Sequence, residues 1–178
     1  RSEIWGRFVE LERRGEPFAI SGDMGAAGPP KVAYNAKTHS WLVVWSSPTD
    51  GGRDAIRGRY VVCGQLDGAV FTIGAPEGDG VADDTEPAVA ATGEAFAVVW
   101  RRALGGGASA IVGAQVVAGE TRLAKYLTDN GTVSAPAIAC EARGDCLVAW
   151  TRQLAGNLDV VGKYWFPREE LVGEGLLA

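Results

Sequence analysis

A single histidine, a single methionine and three cysteines are all that 178 residues supply of the usual metal-binding and redox side chains. One imidazole excludes a zinc centre built on several histidines. No apolar run approaches the roughly 20 residues that a bilayer-spanning helix needs. Positive charge is also scarce: 17 Lys and Arg stand against 22 Asp and Glu, a net charge of −5. The densest basic runs are the pairs Arg13-Arg14 and Arg101-Arg102. Such a surface repels phosphate backbones, so nucleic acid is not an expected partner. The chain opens at Arg1 rather than Met, so a mature fragment or an artificially truncated piece is expected, one that need not carry targeting information.

Glycine, in contrast, is abundant at 25 residues, alongside an apolar share of 47% and a charged share of 22%. That balance suits a globular core rather than a disordered chain. Many glycines between short apolar runs favour tight turns and an all-β fold.

The dominant signal is an internal repeat. Aligned on tryptophan, the segments starting at Pro30, Pro87 and Pro136 close on Trp45, Trp100 and Trp150. A second motif follows each of them, centred on Gly58, Gly113 and Gly162, and a further copy surrounds Gly6. After each glycine comes a weaker apolar patch: Phe18–Ile20, Phe71–Ile73, Tyr126–Leu127 and Leu171–Val172. The unit is therefore four short strands, a to d. Strand a follows the proline, b ends on the tryptophan, c holds the glycine and d is the weak patch. Runs rich in Val, Ile, Trp and Tyr, bounded by Gly, Pro, Asn and Asp, are strand signals. A glycine inside strand c predicts a bulge or a close neighbour.

Counting four residues on from each proline and four back from each tryptophan gives Tyr34 with Trp41, Ala91 with Phe96, and Cys140 with Cys146. These positions are expected to face each other across an a–b hairpin. Facing Cβ atoms lie within disulfide reach, so Cys140–Cys146 is the disulfide candidate. A disulfide implies an oxidising compartment. The alternative is two buried free thiols. Cys63 is left over, either a free thiol or a bridge to another chain.

The matching residues Pro30–Ala33, Leu42–Trp45 and Ile56–Val61 resemble repeats of bacterial secreted and cell-surface proteins with predicted β-propeller folds. The resemblance covers nearly the whole chain. It implies blades of about 50 residues and a non-enzymatic surface or adhesion role. The Asp-box of sialidase-type propellers, Ser-x-Asp-x-Gly-x-Thr-Trp, is absent.

The expected fold is thus an all-β, β-propeller-type segment of about three and a half four-stranded blades. Residues 1–27 form an orphan outer hairpin of strands c and d. Residues 28–84, 85–133 and 134–178 form three blades. The repeat core is Trp45, Trp100 and Trp150 with Gly6, Gly58, Gly113 and Gly162. An open arc exposes apolar faces and strand edges. Its ring is expected to be completed by a missing segment, another polypeptide or a second copy.

Chemistry is harder to find. His39 lies in a hairpin loop with no nucleophile or orienting carboxylate in its motif. Cys140 and Cys146 are not at a usual zinc spacing. The acidic stretch Glu77, Asp79, Asp83, Asp84 and Glu86 reads as a solvated loop. Its residues Asp79, Asp83, Asp84 and Glu86 are the one Ca²⁺ candidate, without EF-hand spacing. Gly105-Gly106-Gly107 lacks the Lys-Ser/Thr of a phosphate loop and reads as a turn. Asn130-Gly131-Thr132 fits a glycosylation sequon. Trp5, Trp41 and Trp165 do not recur, and serve packing or ligand stacking.

No catalytic or cofactor-binding set emerges. The leading expectation is a non-catalytic module for protein–protein assembly or adhesion, secreted, periplasmic or at the cell surface. A carbohydrate-binding propeller is the alternative. A hydrolase whose site is shared with another segment is a third reading.

Overall fold

The computed structural model describes residues 2–9, 14–22, 28–75, 83–154 and 156–167. Its elements are β-strands, arranged in four antiparallel sheets that follow one another along the chain. The first is the two-stranded pair β1 (Trp5–Gly6) and β2 (Phe18–Ala19). The second runs β3 (Lys31–Asn35), β4 (Ser40–Pro48), β5 (Asp54–Val62) and β6 (Gln65–Gly74). The third runs β7 (Asp84–Thr92), β8 (Ala95–Gly105), β9 (Ala108–Val117) and β10 (Glu120–Tyr126). The fourth holds β11 (Val133–Cys140), β12 (Cys146–Leu154) and β13 (Asn157–Trp165). Each strand pairs with its neighbour in sequence. No closed ring is formed among the described residues.

Turn chemistry sets the hairpins. Cys63 and Gly64 have φ of 48° and 80°, and Ala118 and Gly119 have 49° and 85°. Two left-handed residues make the tight turn whose twist matches that of the strands it joins. Both turns launch the fourth strand of a sheet. The fourth strands therefore begin well before the apolar patches that announce them: β6 at Gln65 and β10 at Glu120. The early residues of β10 alternate weakly because most of that strand faces solvent. The fourth strand expected at Leu171–Val172 lies outside the described residues. The boundary drawn after residue 84 also moves, since Asp84 opens β7.

The sheets stack face to face, each on the next. Ile4 and Ile20, which flank the first strand pair, meet Val43, Trp45 and Val61 of the second sheet. Leu42, Val44 and Ile56 of the second meet Phe96, Val98 and Trp100 of the third. Ala97, Val99 and Ile111 of the third meet Cys146, Val148 and Trp150 of the fourth. Alternation explains this: odd and even residues of β4, β8 and β12 point to opposite neighbours. The leading strands β3, β7 and β11 lie against one another in succession, whereas β6 and β10 meet only lightly. The stack is therefore tight at the first strands and spread at the last.

The repeat glycines mark where side chains press on strand c. A Cβ at Gly58 would come within 2.7 Å of Ile73 and 3.0 Å of Phe71. At Gly6 the pressing groups are Ile20 and Phe18, and at Gly113 they are Leu127 and Trp165. Gly162 differs, since its nearest neighbour would be Leu147 at 3.6 Å. Inter-sheet polar contacts repeat too. Arg59 donates to the Ile20 carbonyl at 2.9 Å, and Lys163, at the matching position, to the Leu127 carbonyl at 3.1 Å.

Candidate functional site

The chemistry-bearing residues are dispersed. His39 sits exposed in the β3–β4 turn, with Nδ1 3.3 Å from the Tyr34 hydroxyl. Of the Ca²⁺ candidates, Asp79 lies outside the described residues. The other three face different partners. Asp83 accepts the Asp54 amide at 3.1 Å, and Glu86 accepts the Ala135 amide at 2.6 Å. The Asp84 carboxylate is completely buried and bound by Arg102 through two bonds of 2.7 Å. A solvated loop is thus the wrong description of Asp84. Arg102 supplies its charge compensation, donates to the Ala75 carbonyl at 3.1 Å, and lies over the Trp100 and Tyr126 rings. The Asp84 hydrogen bonds raise the Arg102 guanidinium above its already high ordinary value, against desolvation. Sequence reasoning missed this pair. Its only signal was an acidic residue at the opening of one strand and an arginine just after the tryptophan of the next.

Cys140 and Cys146 are cross-strand partners and form a disulfide with sulfurs 2.07 Å apart. Tyr34 and Trp41, and Ala91 and Phe96, occupy the same register positions in the other sheets. Cys63 is a free, exposed thiol at a hairpin tip.

Between the second and third sheets lies a cleft of about 700 Å³, bordered by Tyr60, Phe71, Phe96, Asp67 and Glu94. Burial pushes the Tyr60 hydroxyl above its ordinary value; a Gly119 backbone hydrogen bond opposes this and Asp67 adds to it. The rings pack chiefly on one another, with Tyr60 stacked on Phe71 and edge-on to Phe96. The matching cleft between the third and fourth sheets, about 260 Å³, is lined instead by Gln115, Val117 and Arg143. The position recurs but the chemistry does not.

The feature that does follow the repeat is uncovered apolar surface. On β13, Leu158, Val160, Gly162 and Tyr164 share one face by alternation, joined by Leu147 of β12 opposite Tyr164. Val160 is 81% exposed, while its counterparts Ile56 and Ile111 are 0% exposed. Leu147 is 47% exposed against 0% for Leu42 and Ala97. The difference is position in the stack: the second and third sheets are followed by another sheet's tryptophan-bearing face.

A second uncovered surface sits at the other end. Among the described residues the first sheet has only strands c and d, and part of the second sheet's face is exposed beside it. Trp41 is 36% exposed, while its counterpart Phe96 is 2% exposed. Together with Trp5, Val32 and Val43 it lines an apolar groove of about 350 Å³. Trp165 behaves differently and is buried between the third and fourth sheets.

No family model matches the chain, and no curated protein shows detectable similarity to it.

Proposed function

We propose that this chain is an arc of a β-propeller and works as a non-catalytic assembly or adhesion module outside the cytoplasm. The carrying observation is the exposed face of Leu147, Leu158, Val160 and Tyr164, in which Leu147 and Val160 stand at repeat positions that are buried in the other sheets. Contiguous apolar surface of this kind marks an interaction site. Face-to-face stacking and tighter contact at the leading strands support a radial arrangement of blades. The Cys140–Cys146 disulfide supports an oxidising location. A carbohydrate-binding reading ranks second. It draws on the Tyr60–Phe71 cleft and is weakened by the unlike chemistry of the matching cleft.

Size-exclusion chromatography with mass measurement tests the assembly reading. The expected species exceeds the 18.6 kDa of one chain, and Val160→Asp returns it to that mass. A chain that stays single at all concentrations and binds no apolar dye overturns it.

A further inference from the structure

We infer that the groove beside β1 receives a β-hairpin of the repeat's own a–b type, supplied from outside residues 1–178. It would add to the first sheet as two further strands. The inference rests on the reading of the chain as an arc of repeated sheets. It concerns the opposite end of the stack from the Val160 face.

Three observations define the occupant. First, β1 pairs with β2 alone, and no described strand lies along its other side. In every later sheet that side of strand c is paired with strand b: β5 with β4, β9 with β8 and β13 with β12. An unpaired strand edge accepts an added strand through main-chain hydrogen bonds.

Second, the register is dictated by the repeat. Trp45 pairs with Arg57, Trp100 with Val112 and Trp150 with Val161, each one residue before the strand c glycine. The residue one before Gly6 is Trp5, which is 57% exposed. The incoming strand should therefore place its closing tryptophan opposite Trp5.

Third, the side chains required are those used at the existing contacts. In the second sheet Leu42 and Val44, three and one before the tryptophan, cover the third sheet around Phe96 and Val98. At the corresponding place on the second sheet Trp41 is 36% exposed and lines the groove with the exposed Val32, whereas its counterpart Phe96 is covered. The geometry of the missing contact is already set, because the c–d pair is seated on the second sheet as its counterparts are. Arg59 reaches the Ile20 carbonyl as Lys163 reaches that of Leu127. The occupant is thus a hairpin with aliphatic residues one and three before a tryptophan. A second copy cannot complete this sheet with its own first sheet, which lacks the same two strands.

A direct probe is a dye-labelled, oxidised peptide of residues 132–153 of this chain. Its disulfide preorganises the hairpin, and its Leu147, Ala149 and Trp150 occupy the required positions. It is titrated into the full chain carrying Val160→Asp, so that the other face does not interfere. Fluorescence anisotropy should show saturable one-to-one binding. Hydrogen exchange at the Trp5 amide should slow at the same time, which non-specific adhesion would not cause. Trp41→Ala, or Val32→Asp at a more exposed position, should weaken binding by about tenfold or more. A Leu147→Asp peptide should bind no better than those variants allow. Absence of saturable binding, or binding indifferent to both groove variants, overturns the inference. If that happens while the wild-type chain still associates through Val160, the assembly reading stands and only this occupant is wrong. If the peptide binds while the wild-type chain stays single and binds no apolar dye, the inference holds and the Val160 face is not the assembly surface.

Discussion

The third and fourth sheets carry the same repeat but live in different surroundings. The third is enclosed, with the second sheet on one face and the fourth on the other. The fourth packs on the third with one face, and among the described residues its other face is exposed. Residues that look interchangeable in sequence therefore do unlike work. Ile111 fills a core, and Val160 meets solvent. The polar inventory differs as well. The third sheet holds a buried ion pair, Asp84 with Arg102, and the fourth holds the disulfide. Stability in such a stack comes from contacts between neighbouring units, so a terminal unit lacks one interface term.

The largest expected effect comes from truncating matched positions. Ile56→Ala should cost about 2–5 kcal/mol, because it removes buried methylenes and leaves a cavity. Val160→Ala should change stability by no more than about 0.5 kcal/mol, because its side chain is already hydrated. Urea unfolding of both variants measures the difference. Equal losses would show that the fourth sheet's outer face is covered in solution, and the contrast between the sheets would vanish.

The glycines sharpen the same contrast at smaller size. Gly58→Ala forces a methyl against Ile73 and Phe71, and should cost about 1–3 kcal/mol as overpacking does. Gly162→Ala meets only ordinary contacts among the described residues, and should stabilise by about 0.4–1 kcal/mol through the unfolded chain's lost freedom. Thermal melts of the two variants should move in opposite directions. A loss at Gly162 as large as at Gly58 would mean that a strand presses on it as β6 presses on Gly58.

The pairing of strands was legible because proline and tryptophan punctuate each hairpin at fixed distances. Tyr34 opposite Trp41, Ala91 opposite Phe96 and Cys140 opposite Cys146 follow from counting alone. The fourth strands were legible only in part. Much of β10 faces solvent, and its apolar alternation is correspondingly faint. Asp84 was misread because its charge says nothing about whether an arginine waits across the strand pair. The bare faces were illegible for a deeper reason. Val160 and Ile111 occupy the same repeat position, and only the presence or absence of a neighbouring sheet separates them.

The smallest expected effect concerns Asp54, which occupies the position of Leu158 in the fourth sheet. Leu158 is exposed there, whereas Asp54 lies at the start of β5 near Asp83. Desolvation, and then repulsion from Asp83, raise the Asp54 carboxyl above its ordinary value. The folded state thus holds this proton more tightly than the unfolded chain does. Below about pH 3, well under the unfolded value, both states are protonated and no penalty exists. As the pH climbs through the window between the unfolded and folded values, the unfolded chain ionises first and stability is lost. Above the folded value the penalty is constant. Asp54 remains partly solvated, so the loss is small and screened by salt. Asp54→Asn keeps the backbone amide that bonds Asp83 and removes the charge. Its stability relative to the wild-type chain should therefore grow with pH through that window and then level off. Urea midpoints across the window, at low and high salt, measure it. A difference independent of pH would assign the effect to packing and leave the Asp54–Asp83 repulsion without consequence.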